Sequence, residues 1–98
     1  MLKMVEGPER GQLLPITRTK VKIGRSQDND IVLSEGSVSS HQAEIELRDG
    51  NMVLRDVSTY HSTKVNGSRE TERHLSNGDR VQLGDETVFI FEWSGQQV

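Results

Sequence analysis

Ala43-Glu44-Ile45-Glu46-Leu47-Arg48-Asp49-Gly50-Asn51-Met52-Val53-Leu54-Arg55-Asp56-Val57 is the stretch whose reading decides the fold. Ala43, Ile45 and Leu47 alternate with Glu44, Glu46 and Arg48. A period of two puts the apolar set on one face of an extended strand and the charged set on the other. Asp49-Gly50 interrupts the run with a pair suited to the positive φ of a tight hairpin turn. Met52 to Val57 returns as the partner strand. The pattern predicts an antiparallel hairpin with one buried face.

The same grammar extends in both directions. Leu2 to Val5, Gln12 to Ile16, Lys20 to Ile23 and Ile31 to Leu33 precede the hairpin, separated by Gly7-Pro8-Glu9-Arg10-Gly11 and by Ser26-Gln27-Asp28-Asn29-Asp30. Thr63 to Val65 ends in Asn66-Gly67, a second hairpin signal. Ser76-Asn77-Gly78-Asp79 turns into Arg80 to Leu83, and Gly84-Asp85 turns into Thr87 to Trp93, where Phe89, Phe91 and Trp93 alternate as packing residues. His74, between Arg73 and Leu75, reads as surface loop. No stretch carries the three-and-four apolar spacing of a helix. Short strands with turn chemistry about every eight to twelve residues indicate an all-β antiparallel sandwich. Residues 1–98 are expected to form one domain, with the tail Ser94 to Val98 frayed.

Composition narrows the function classes. The chain has no cysteine, which excludes disulfides, thiol catalysis and cysteine-bound zinc, and fits a reducing intracellular, cytoplasmic setting. No apolar run approaches the roughly 20 residues of a membrane span, and the first residues lack the basic-then-apolar pattern of a signal segment. A net charge of −3 argues against a nucleic-acid partner, yet leaves room for a small basic pocket.

Two stretches hold more small polar residues than ordinary strands need. The first is Ile23-Gly24-Arg25, followed after a loop by Ile31 to Ile45, which contains Val38-Ser39-Ser40-His41-Gln42. The second is Leu54-Arg55-Asp56-Val57-Ser58-Thr59-Tyr60-His61-Ser62-Thr63-Lys64-Val65-Asn66-Gly67. Arg25 follows a glycine that permits close backbone approach, and its planar fork suits a phosphate or carboxylate. Ser39 and Ser40 offer hydroxyls and a turn whose amides can cup an anion. On the residues alone, a solvated strand-end arginine beside plain turn-forming serines is the more natural reading.

These stretches resemble the forkhead-associated (FHA) family. Its pattern runs Gly-Arg, an apolar strand, Val-Ser-Arg-Arg-His-Ala-Glu-Ile, and later Asp-Leu-x-Ser-Thr-Asn-Gly-Thr-x-Val-Asn-Gly. Ile31 to Ile45 and Asp56 to Gly67 follow it without gaps, and the likeness continues through Asn77-Gly78-Asp79 and Val81-x-Leu83-Gly84. The resemblance implies a β-sandwich of about eleven strands whose loops at one apex bind a phosphothreonine peptide. Carried over residue by residue, it implies phosphate contacts from Arg25, Ser39, Ser40 and His41. Peptide contacts fall to Tyr60, His61, Ser62 and Asn66, and loop support to Gly24, Gln42, Thr63 and Gly67.

The chain also departs from that pattern. Gln42 stands where the family has a histidine that braces the loops from inside. An amide both donates and accepts, so it replaces the imidazole at a cost of ~0.5–1.5 kcal/mol if one bond is lost. Tyr60-His61-Ser62 stands in place of Thr-Asn-Gly, and histidine tolerates the unusual φ of such a loop better than most residues.

Catalysis and metal binding are poor fits. His41 and His61 make at most an incomplete zinc site. Ser40 and His41 are sequence neighbours whose side chains diverge on a strand, which defeats a Ser-His-Asp arrangement. The expectation is therefore a binding module with no catalytic residue, no metal and no cofactor. Its partner would be a phosphorylated protein or peptide in intracellular signalling, with no nucleic acid and no membrane. The alternative is a phosphate-independent interaction or self-association scaffold of the same fold.

Overall fold

The computed structural model describes residues 1–93; the expected frayed tail, residues 94–98, lies outside the described residues. Among the described residues, eleven strands follow in chain order: β1 Leu2–Glu6, β2 Leu13–Leu14, β3 Lys20–Gly24, β4 Ile31–Val32, β5 Ala43–Arg48, β6 Asn51–Asp56, β7 Thr63–Val65, β8 Ser68–Arg69, β9 Glu72–His74, β10 Arg80–Leu83 and β11 Thr87–Phe91. They form a six-stranded sheet, β2-β1-β11-β10-β7-β8, and a five-stranded sheet, β4-β3-β5-β6-β9.

The deciding hairpin is present as read. Arg48 pairs with Asn51 across a two-residue loop in which Asp49 and Gly50 have φ 51° and 80°. Val65 likewise pairs with Ser68 across Asn66 and Gly67, at φ 51° and 87°. Two successive positive φ values match the right-handed twist of the flanking strands. The alternating apolar residues meet between the sheets: Val21, Ile23 and Ile45 from one, Leu2, Met4, Val81, Leu83, Phe89 and Phe91 from the other, all buried. Trp93, just past β11, packs its ring 6.1 Å from that of Phe91.

Four readings change. β3 and β4 pair in parallel through Ile23–Ile31 and Gly24–Val32, so the five-stranded sheet is mixed. The expected Gln12–Ile16 strand contracts to Leu13–Leu14, because only Leu2–Leu14 and Lys3–Leu13 find register with β1. His74 lies in β9, an edge strand held to β6 by the Val53–His74, Leu54–Arg73 and Arg55–Glu72 pairs. Leu47 is 43% exposed despite its place in the alternation. It lines an open groove of about 520 Å³ at one end of the sandwich with Met1, Ile16, Met52 and Trp93, where the core has run out.

Register decides where the loops emerge. Ile23, Ala43 and Asp56 stand side by side across β3, β5 and β6, so the chain leaves or enters these strands at one level. Thr63 pairs with Leu83 at the same end of the other sheet, where Gly84 N–H donates to Ser62 O at 3.1 Å. The segments 25–30, 33–42, 57–62 and 84–86 therefore gather at a single apex.

Candidate functional site

The β3–β4 and β4–β5 loops are zipped together by backbone. Arg25 N–H donates to Ser39 O at 3.0 Å, Ser26 N–H to Ser40 O at 3.1 Å, and Gln42 N–H to Ile23 O at 2.9 Å. The approach is possible only because residue 24 is glycine: a Cβ there would lie 2.3 Å from Ser40 O and 2.9 Å from Asn29 Nδ2. Asn29, 8% exposed, donates from Nδ2 to both Ser26 O and Ser40 O at 2.8 Å and so clips the two loops. Sequence reading passed over Asn29 as one of several turn formers; nothing local marks which asparagine in a polar loop is buried.

Arg25 is exposed, and its Nε donates to Val38 O at 2.5 Å. That bond holds the guanidinium by its Nε edge, and neither terminal nitrogen has a hydrogen-bond partner among the described residues. Among the described residues no carboxylate pairs with Arg25. An oriented guanidinium without an internal anion suits an external one.

The opposite loop is organised around Asp56 and Gln42. Asp56 Oδ1 accepts from the Ser58 N–H and hydroxyl, both at 2.6 Å, while Oδ2 accepts from Thr63 N–H at 3.3 Å. Ser62 N–H donates to Ser58 Oγ at 3.3 Å, closing the loop. His61 takes φ 50°, an unusual φ that histidine tolerates better than most residues. Gln42 is fully buried between the loops. Its Oε1 accepts from Ser39 N–H at 2.9 Å, and its Nε2 donates to the Ser62 and Thr63 hydroxyls, each at 3.0 Å. The amide thus uses every function it has. Ser62, which replaces a glycine of the family pattern, is one of the groups that satisfies the glutamine replacing its histidine.

Between these loops lies a cleft of about 360 Å³ lined by Arg25, Ser39, Ser40, His41, Val57, Thr59 and Tyr60. All four residues expected to meet phosphate line it, as does Tyr60 from the peptide set. Ser62 and Thr63 lie behind it, turned to Gln42. His61 is on the same loop but outside the lining. Asn66 stands apart: its Nδ2 donates to Asp79 Oδ1, its Oδ1 accepts from Arg80 N–H, each at 3.0 Å, and with Gly67 it turns the β7–β8 hairpin at the far end of β7. The Asn66-Gly67 pair was read correctly as a hairpin; the Asn66 amide is spent on Asp79 and on Arg80, the first residue of β10.

His41 Nε2 sits 3.1 Å from both oxygens of Asp28. Hydrogen bonds from Ser26 and His41 hold the Asp28 carboxyl below the usual carboxylate range. Behind the cleft, Glu35 anchors the β4–β5 loop to the β10–β11 turn. Its Oε1 accepts from Glu86 N–H at 3.0 Å and the Thr87 hydroxyl at 3.3 Å, and its Oε2 accepts from the Ser37 N–H and hydroxyl. Burial pushes the Glu35 carboxyl up, but the bonds from Ser37, Glu86 and Thr87 outweigh it and leave it below its ordinary value.

The family model described as "FHA domain" matches residues 21–84, which include the cleft and its supports. The chain belongs to the FHA domain family. It is 35% identical to an oxoglutarate dehydrogenase inhibitor of Corynebacterium diphtheriae over 92% of this chain and 64% of that protein. Among solved structures, Mycobacterium tuberculosis EmbR in complex with a low-affinity phosphopeptide superposes with TM-score 0.81 at 30% identity, over 93% of this chain and 23% of EmbR. An FHA domain from a structural and functional analysis of phosphothreonine-dependent FHA domain interactions superposes with TM-score 0.83 at 27% identity, over 95% and 94% of the two chains. The FHA chain described here thus spans less than two thirds of the inhibitor and about a quarter of EmbR.

Proposed function

We propose that this FHA domain binds phosphothreonine-bearing peptides and so mediates protein–protein interaction in intracellular signalling, as a binding module with no catalytic step. The observation that carries the reading is the cleft where the Arg25 guanidinium, unpaired with any carboxylate among the described residues, faces the same space as Ser39 and Ser40. A guanidinium supplies paired charged donors to phosphate oxygens, and a serine hydroxyl adds a third from the adjoining loop. His41 brings an imidazole to the same wall. The phosphopeptide carried by EmbR and the phosphothreonine-dependent interactions attributed to the second neighbour support the assignment.

A second reading, phosphate-independent protein docking, draws on Tyr60, which is 80% exposed at the cleft rim. Calorimetric titration with matched phosphothreonine, phosphoserine and unmodified peptides separates the two. Phosphothreonine binding is expected to exceed the unmodified peptide by at least about 10-fold, the effect of ~1.4 kcal/mol. Equal affinity for the phosphorylated and plain forms would make docking without phosphate the better account.

A further inference from the structure

His41 lines the cleft, but the carboxylate that holds it does not. Its Nε2 sits 3.1 Å from both oxygens of Asp28, on the β3–β4 loop outside the lining. Hydrogen bonds from Ser26 and His41 keep that carboxyl below the usual carboxylate range, so at neutral pH it is ionised and can only accept. Nε2 therefore carries a hydrogen, and the ring titrates at Nδ1, which has no partner among the described residues. Held this way, the neutral ring offers a lone pair at Nδ1, and only the imidazolium offers a second N–H. The other charged or titratable groups around the cleft are Arg25 on the β3–β4 loop and Tyr60 and His61 on the 57–62 segment; Glu35, on the loop of His41 itself, is turned to the β10–β11 turn. Among the described residues Asp28 alone pairs with His41. In the family pattern Val-Ser-Arg-Arg-His, His41 falls on the second arginine. A guanidinium keeps its charge at every physiological pH, and an imidazole does not.

We infer that Asp28 is a positioning residue that makes the cleft a pH-graded phosphate receptor: it fixes the hydrogen of His41 on Nε2, so that a phosphate gains an Nδ1–H donor only when the ring takes up a proton. This role rests on the phosphothreonine reading and adds a control to the same site. The coupling is reciprocal, so bound phosphate favours the imidazolium as much as the imidazolium favours phosphate. Affinity should strengthen as pH falls through the histidine range, from about 8 to 6.5, and be lost as pH rises through it. Below that window the phosphate takes up a proton of its own near pKa ~6, and the gain reverses. The His41 and Asp28 side chains are 54% and 67% exposed, so solvent screening holds the effect to a few-fold.

The test is calorimetric titration of one phosphothreonine peptide and its unmodified form at three pH values between about 6.5 and 8. The wild-type domain should bind the phosphopeptide about 3- to 5-fold more tightly at the lower end than at the upper. H41N should lose that gain, and H41R should bind tightly without it. H61N, outside the lining, should keep it. D28N, at an exposed position, should fold normally and cut the gain below about twofold, because an amide neither attracts the imidazolium nor dictates which ring nitrogen carries the hydrogen. A D28N loss that is equal at every pH would make Asp28 a loop brace and overturn the proposal. A flat wild-type curve, or a gain that D28N or H41N retains in full, would overturn it too. Each of those results leaves phosphate dependence standing. A phosphopeptide bound no better than its plain form at every pH would instead remove the function reading, and this role with it.

Discussion

The two walls of the apical cleft are stabilised by different means. The wall bearing Arg25, Ser39 and Ser40 is held mainly by backbone: two inter-loop hydrogen bonds, a third from Gln42 N–H to β3, and the Gly24 close approach, with side-chain clips from Asn29 and from Gln42 Oε1 to Ser39 N–H. The wall bearing Val57, Thr59 and Tyr60 is held by side chains, with Asp56, Ser58, Gln42, Ser62 and Thr63 in one network. The first kind of support tolerates almost no change at the glycine, and there the chain keeps the family pattern. The second can be rebuilt by exchanging partners, and there the chain departs from it. Gln42 and Ser62 are such an exchange, since each satisfies the other at 3.0 Å.

If that contrast is right, the backbone wall should break most severely. Gly24→Val places atoms inside contact distance of Ser40 O, so the loops must part. Denaturant unfolding should show a loss of about 3 kcal/mol, with a melting temperature lower by roughly 10–20 °C. A loss under about 1 kcal/mol would mean the loops slide apart freely and that the zipper is incidental.

Arg25→Ala sharpens the functional side of the same wall. The exposed side chain contributes little to the core, so the fold should persist while phosphopeptide affinity falls by about 1.5–3 kcal/mol in calorimetry. Arg25→Lys should recover little, because an ammonium cannot reproduce a fork.

The side-chain wall should instead show coupling. Gln42→His and Ser62→Gly are each expected to cost about 1 kcal/mol, because each leaves a partner unsatisfied. Their combination should cost less than the sum, with a coupling energy of ~0.5–1.5 kcal/mol in a double-mutant cycle of unfolding free energies. Strict additivity would show that the two departures arose independently.

The smallest effect is electrostatic and lies outside both walls. The Glu35 carboxyl titrates below its ordinary value in the folded chain, so the unfolded state binds the proton first as pH falls. Its contribution is therefore complete above the unfolded pKa of roughly 4.3 and is lost as pH drops through the lower folded value. Glu44 acts in the same direction: burial pushes it up, but Arg55 and Lys20 pull it down further. Unfolding free energies measured from pH 6 to 3 should decline, and Glu35→Gln should flatten the decline by about 1 kcal/mol or less. An unchanged slope in that variant would assign the acid sensitivity to Glu44 and the other carboxylates.

Much of the cleft could be read from the chain because its phosphate wall is encoded locally. Gly24-Arg25 and Ser39-Ser40-His41 are contiguous runs at strand ends; their residue types admit an anion, and the resemblance to the family pattern is what assigned them to phosphate. Asn29 and Glu35 were not legible in this way. Their partners, Ser40 for one and Glu86 and Thr87 for the other, lie 11 to 52 positions away, and no local pattern links them. Asn66 shows the converse error, a motif residue whose hairpin position was right and whose amide is engaged elsewhere.

By itself the sequence determined the longer strands, because a period of two is a property of neighbouring residues and the pleat turns it directly into a face. It also determined both two-residue hairpins, because Asp49-Gly50 and Asn66-Gly67 tolerate positive φ before any tertiary contact exists. Only the tertiary structure decided that β3 and β4 run parallel, that β8 and β9 exist as strands, that Leu47 falls outside the core, and that Gln42 satisfies three groups at once. These depend on which segments meet after the sheets close on each other. A strand of two or three residues has too few side chains to announce a period, and a buried amide has no partner until a distant loop is brought against it.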